Sequence, residues 1–325
     1  MSDLRAAAGR FLARPTTTML LVLAGIALVF SALAPSAFPT LDNARNITSD
    51  VSILLVLAVG ATFVIITAGI DLSVGSVLVF SAVVGAKAME GVGGGHLGTV
   101  LVGLAAALAS GVAWGTLNGV LVAKAKIPSF VVTLGTLGAA YGLALIITGS
   151  VDVRAVPPGL VDFGNGRVLG IPELALAAAA VTVIAGVVLS MTVFGRHTYA
   201  IGASAESARR SGIAVDRQLI SIYALAGMLA GLGGFLSLAR FGTTTVAGHT
   251  TDNLQVITAV VIGGTSLFGG TGWMLGTTIG VFIPIVLANG FIVQGVVPYW
   301  QYVAVGAVLV LAVYLDQRRR ARRLG

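Results

Sequence analysis

The chain has 325 residues, of which 57% are hydrophobic and only 10% charged, and its mean hydropathy is +1.01. A soluble domain carries about a quarter charged residues, so water is excluded as the solvent of most of this surface. The formal charge of +7 is spread between and after apolar runs instead of over one soluble face, which argues against a nucleic-acid partner, and the lack of cysteine removes disulfides, thiolate metal sites and cysteine nucleophiles.

A basic segment (Arg5, Arg10, Arg14) precedes an apolar run from Thr17. Ala32-Leu33-Ala34 resembles a signal-peptidase site. The chain beyond it is itself membrane-spanning, however, and Pro35 is an awkward residue after a cut, so the run reads as a retained first transmembrane helix. A helix needs about 20 apolar residues to cross the hydrocarbon core. On that criterion the spans are 17–35, 51–69, 72–89, 97–122, 129–148, 172–194, 218–240, 254–271, 273–292 and 299–315, ten in all, in a single transmembrane domain over 1–325.

Polar residues and glycines interrupt this pattern at four places. Thr67-Ala-Gly-Ile-Asp71-Leu-Ser73-Val-Gly75-Ser76 breaks the second apolar stretch. A carboxylate at the bilayer centre costs about 2.5–3.5 kcal/mol on insertion scales, so Asp71 lies at the inner boundary, caps the next helix or faces a wet cavity. In the fourth span Gly111, Gly115 and Gly119 recur on one face, a pattern for close helix packing, and Asn118 beside them requires a polar partner or water. The segment 149–171 holds Pro157, Pro158, Gly159, Gly164, Gly166 and Gly170 and reads as an external loop. The late segment Gly263 to Gly272 holds five glycines in ten residues and does not favour continuous helix; such a break is tolerated at membrane depth only inside protein or against water, and paired breaks point to a translocation site.

Orientation is set by lysine and arginine in the short connections. With the N-terminus inside, fourteen fall in the cytoplasm, among them Lys124, Lys126, Arg196, Arg209, Arg210, Arg217 and the arginine tail in 316–325. Arg45, Lys87, Arg154, Arg167 and Arg240, five in all, fall outside. Both termini are therefore expected inside, which an even number of spans satisfies. The tail is expected to anchor the last helix at the inner surface, with membrane lipid as a contact. The inner connection 195–217, GRHTYAIGASAESARRSGIAVDR, carries helix formers from Ser204 to Arg210 behind a serine cap. A short cytoplasmic helix between two spans suggests that something docks on it.

The phosphate-loop motif G-x-x-x-x-G-K-[ST] is missing, so ATP hydrolysis by that route is not expected of this chain. His96, His197 and His249 are isolated in the sequence, and no H-E-x-x-H or paired carboxylates mark an apolar helix, which disfavours a membrane enzyme, a metal site and a cofactor. Asn46-Ile47-Thr48 reads as a chance glycosylation match.

Five motifs in order resemble the permease subunits of ribose-type ABC importers: GIDLSVGS at 69–76, NGVLVAKAKIPSFVVTLGTL at 118–137, GRHTYAIGASAESARRSGI at 195–213, AVVIGGTSLFGGTG at 259–272 and VPYWQ at 297–301. The resemblance covers about Ser49 to Asp316. It implies an all-α polytopic subunit of the vitamin B12 importer-like (type II) fold, a homodimer in the bacterial cytoplasmic membrane around a central path. It further implies separate ATPase subunits that use ATP and magnesium, and an external sugar-binding protein. The 195–213 region resembles the family's coupling loop, and Gly195, Arg196, Tyr199, Gly202, Glu206, Arg209 and Gly212 are the positions carried over. Here the loop reads G-A-S-A-E where relatives often have G-G-N-P-E. Asp71, Ser73, Asn118, Thr133, Thr136 and Asn289 are the path-lining candidates for a monosaccharide. Two alternatives compete: an ion-coupled secondary transporter with Asp71 as the coupling carboxylate, and an ABC permease for a non-sugar solute.

Overall fold

The computed structural model describes residues 15–249, 251–297 and 299–324; the leading arginines Arg5, Arg10 and Arg14, and Pro298 within VPYWQ, lie outside them. The chain order is α1 (Pro15–Leu33), α2 (Leu41–Ile66), α3 (Val74–Val92), α4 (Leu97–Ala123), α5 (Ser129–Thr148), α6 (Pro158–Asn165), β1 (Arg167–Val168), β2 (Ile171–Pro172), α7 (Glu173–Met191), α8 (Val193–Ala203), α9 (Ala205–Arg210), α10 (Val215–Phe241), α11 (Asp252–Ile262), α12 (Met274–Val293) and α13 (Tyr299–Leu324). The two strands form a small antiparallel pair. The all-α expectation holds.

α2 is the axis of the bundle. It starts ten residues before its predicted span because Thr40 caps it, its hydroxyl accepting from Asn43 N at 3.2 Å, and every residue from Val51 to Ile66 is buried. A helix apolar on all sides must be enclosed by others, and α7, α10, α11 and α12 enclose it. Its hydroxyls close on its own backbone, Ser52 on Thr48 O and Thr62 on Ala58 O, both at 2.7 Å, so they add no unpaired group to the core.

The most extensive helix pair is α4 with α10, and the glycine repeat explains it. A Cβ on Gly227 of α10 would lie 2.8 Å from the Cα of Gly115, and one on Gly119 would lie 2.7 Å from the Cα of Ile220. The two backbones touch directly, as small residues permit.

Eight of these helices are long and apolar enough to cross a membrane. The first seven predicted crossings and the ninth map onto them. The tenth maps onto α13, whose apolar part is shorter. The eighth, 254–271, is not one helix. α11 stops at Ile262, and the chain continues without helix through the five glycines, of which Gly264, Gly269 and Gly270 take φ of +88°, +81° and +75°. With about 1.5 Å of rise per residue, α11 covers only about 16 Å. The predicted external loop 149–171 contains more structure than expected: α6 starts on the Pro157-Pro158 pair and leads into the β1–β2 turn.

Charged groups collect at two opposite poles. At the start of α2, Asp42 meets Arg45 at 3.1 Å and Arg167 at 3.9 Å, and Arg240 meets Asp50 at 3.6 Å. Beyond the far end of α2, about 39 Å along its axis, Asp216 meets Lys126 at 2.9 Å and Arg209 at 3.1 Å.

Candidate functional site

The connection between α7 and α10 folds as two helices. Thr192 ends α7 and caps α8, its hydroxyl accepting from Gly195 N at 3.3 Å. Gly195 is buried against the backbone of Leu189, where a side chain has no room. Ser204 caps α9 by accepting from Ser207 N at 3.2 Å, as expected from the sequence, so the helix starts at Ala205 without the proline that relatives often carry. α9 ends at Arg210, and beyond it Gly212, with a φ of +84°, lets Ile213 N reach Ala208 O at 3.1 Å.

The carried-over residues divide into two sets. Arg196, Glu206 and Arg209 are exposed; Glu206 pairs with Arg210 one turn on, and Arg209 with Asp216. Tyr199 and Gly202 face inward. The Tyr199 hydroxyl donates to Gly272 O at 2.7 Å, and burial pushes its phenol above the ordinary value, so it stays a donor at neutral pH. Gly202 lies against Ile66 O and 2.5 Å, by its would-be Cβ, from Gly270 N. Gly270 N in turn donates to Ile66 O at 2.8 Å. The two interrupted segments, after α2 and after α11, therefore meet each other, and α8 packs on their junction.

Three of the path candidates form a chain of hydrogen bonds ahead of α3. Asp71 Oδ1 accepts from Ser73 N at 2.8 Å and from the Ser73 hydroxyl at 2.6 Å, and Asn118 Nδ2 donates to Ser73 Oγ at 2.9 Å. All three are buried. Asp71 thus braces the turn into α3 instead of taking the cap position, which Ser73 holds. Thr133 joins from α5 by donating to Ile70 O at 3.1 Å, and Ile70 N donates to Ser129 Oγ at 3.1 Å. Thr136 closes on its own helix, donating to Val132 O at 3.2 Å. Asn289 lies elsewhere. It exchanges two hydrogen bonds with Asn43, of 2.9 and 3.0 Å, at the start of α2, whereas Asp71 comes after its end.

One constellation escaped the sequence reading. His249, isolated in the sequence, lies between Ser237 Oγ at 2.8 Å and Asp252 Oδ2 at 2.7 Å. The correction is one of distance along the chain: Ser237 stands twelve residues upstream, on α10. The order Ser–His–Asp imitates a hydrolytic relay, yet Ser237 is only 1% exposed, which leaves a substrate carbonyl no approach. The relay instead pins the non-helical segment before α11 to α10. Among the described residues no cluster of three or more His, Asp or Glu could hold a metal ion.

A bundle of apolar helices with one short helical element packed on two broken crossings defines a multi-pass membrane protein of the transporter class. Residues 43–313 match the family described as branched-chain amino acid transport system / permease component. The chain is 38% identical over 296 residues to the ribose import permease protein of Escherichia coli strain K12, covering 90% of each. It is 38% identical over 299 residues to that of Bacillus subtilis strain 168, covering 91% of each. Against the fructose import permease protein of Rhizobium meliloti the identity is 32% over 311 residues, covering 93% of this chain and 85% of the relative. No solved structure matches the chain significantly. The chain belongs to this permease-component family of ABC transporters.

Proposed function

We propose that this chain is the membrane-spanning subunit of a bacterial ABC importer for a monosaccharide, working as a pair of copies around a shared path. The relatives named for ribose and fructose import support the cargo class. The single observation that carries the coupling role is the junction of Gly202 with Ile66 and Gly270. A push on α8–α9 is delivered there to both broken crossings at once, without passing through a flexible loop. ATPase subunits, which bind ATP and magnesium, dock on the exposed residues Arg196, Glu206 and Arg209, while Gly195, Tyr199, Gly202 and Gly212 fix the shape behind them. This chain binds no cofactor of its own.

Both termini face the cytoplasm of the inner membrane, and an external sugar-binding protein delivers cargo at the Arg45–Asp42–Arg167 pole. The gathering of Arg45, Arg167 and Arg240 at one pole and of Lys126 and Arg209 at the other supports this orientation. The arginine tail adds an inner anchor on membrane lipid. Asp71, Ser73 and Asn118 belong to the path, whereas Thr133 and Asn289 are committed to tying their helices to other segments and the Thr136 hydroxyl to its own helix.

The test is purification in mild detergent with the neighbouring ATPase co-expressed. Glu206→Arg and Arg209→Glu are expected to weaken its retention and to lower uptake. The partners that these residues lose are exposed ion pairs worth about 0–1 kcal/mol, so folding should survive and the loss will report docking. Retention of the ATPase by both variants would refute the assignment.

A further inference from the structure

Buried polar atoms almost always find partners, and inside a bilayer the penalty for missing one is higher still. Three that do not are gathered around one short stretch, Gly69 to Gly75, which leads into α3. Asn118 Oδ1 has no partner although its Nδ2 is bonded to Ser73. The Tyr223 hydroxyl has none, and it lies 2.7 Å from where Gly69 would carry a Cβ. Ser129 is near, but makes no hydrogen bond of acceptable geometry with it. Asn253 Oδ1 has none either, and its backbone nitrogen lies 3.6 Å from where Gly75 would carry a Cβ. Asn118, Tyr223 and Asn253 are exposed by 1%, 0% and 9%. They come from α4, α10 and α11, and α3 points its amino-terminal end at them, with Ser73 making no side-chain cap.

We propose that these three side chains form a hydroxyl-binding site that is closed in this structure and contacts the transported solute when the path opens, an assignment that rests on the monosaccharide reading above. Two amide oxygens accept, the phenol donates or accepts, and the free N–H groups of a helix start donate. That mixture suits a neutral polyhydroxylated molecule. An anion would meet the Asp71 carboxylate, and a cation would meet the positive end of α3. Gly69 and Gly75 keep the stretch slim, and the Ser237–His249–Asp252 relay holds Asn253 in place at the start of α11. Enclosed water offers the same hydroxyl chemistry, and the test separates the two sources.

Tyr223→Phe removes one orphan oxygen, and Thr62→Val removes a partnered one, since Thr62 bonds Ala58 O at 2.7 Å and Thr277 at 2.8 Å. Thermal unfolding of the detergent-purified importer should show Tyr223→Phe melting no lower than the parent and Thr62→Val melting lower. Uptake into cells carrying the assembled importer, probed with D-ribose and its single-deoxy analogues, should fall up to about tenfold for D-ribose in Tyr223→Phe. One deoxy analogue should be carried equally by parent and variant. A lowered melting point for Tyr223→Phe would show a protein partner and overturn the site. Equal or absent effects on every sugar would mean enclosed water only, and would overturn it too. If the parent retained its ATPase but carried none of these sugars, the monosaccharide reading would fall, while the melting comparison would still judge the orphan hydroxyl.

Discussion

Gly202 of α8 rests directly on the carbonyl oxygen of Ile66, the last residue of α2. No side chain separates the helix proposed above to couple to the ATPase from the axis of the bundle.

Gly202→Ala should therefore be among the most damaging single-methyl additions in the protein. Its Cβ would collide with Ile66 O and come within 2.5 Å of Gly270 N, both backbone atoms. Overpacking of this kind costs about 1–3 kcal/mol. The expected outcome is a lower melting temperature and loss of uptake, with any folded protein still binding its ATPase through Glu206 and Arg209. Tyr199→Phe, which loses only the bond to Gly272 O, should cost about 1 kcal/mol. Thermal unfolding and uptake measured side by side check both.

The glycines of α4 and α5 should respond in opposite ways. Gly115→Ala drives a methyl into the Tyr223 backbone, whereas a Cβ on Gly135 or Gly138 meets nothing within 4 Å. Gly115→Ala is expected to lower folded yield severely. Gly135→Ala and Gly138→Ala should be neutral or stabilise by up to about 1 kcal/mol, since glycine in a helix interior costs that much against alanine. Yield and monodispersity after detergent extraction distinguish them.

Asp71 separates the ABC reading from an ion-coupled one. In Asp71→Asn the side-chain oxygen can still accept from Ser73 N and Oγ, so uptake should be largely kept. Asp71→Ala loses both bonds and should cost about 1–2 kcal/mol, the scale of a lost helix-start bond. If Asp71→Asn abolished uptake while remaining as stable as the parent, the carboxylate charge itself would be needed, and an ion-coupled mechanism would gain the field.

The Asn43–Asn289 exchange ties the start of α2 to α12. Replacing either asparagine by leucine strips the other of its partner across the pair, although Asn43 Nδ2 keeps its bond to Phe38 O at 3.0 Å, so each single change should destabilise more than half of what the double change does. Interhelical bonds in membrane bundles average about 0.6 kcal/mol and reach about 1.7 kcal/mol. A double-mutant cycle on unfolding should return a coupling in that range, and uptake selectivity should stay unmoved.

Much of this organisation is legible in the sequence, for reasons that differ by element. The long helices announce themselves because about 20 apolar residues have no other use. Ser204 and Asp71 are readable because caps and turns act over two or three residues. The glycine repeat of α4 signals a close neighbour without naming α10. What stays hidden depends on contacts between distant parts of the chain. Asn43 and Asn289 are 246 residues apart, and nothing local marks either as a partner. His249 looks solitary until α10 places Ser237 beside it. Tyr223 sits in an unremarkable helix, and only the fold shows that its hydroxyl lacks a partner. The short length of α11 was concealed by hydropathy alone, since Leu267 and Phe268 keep the average high through a stretch where the glycines forbid helix.

The brevity of α11 bears on how the protein is made. About 16 Å of helix satisfies too few of its backbone groups to settle in hydrocarbon alone. The flanking stretches have to borrow partners: Val246 N reaches Asp152 at 3.0 Å, and Gly270 N reaches Ile66 O. A nascent chain ending soon after Gly272 would hold α11 without α12, the helix whose Gly276 and Gly280 receive it. Biogenesis of this crossing must therefore wait for its successor, and the two enter the bilayer as a pair.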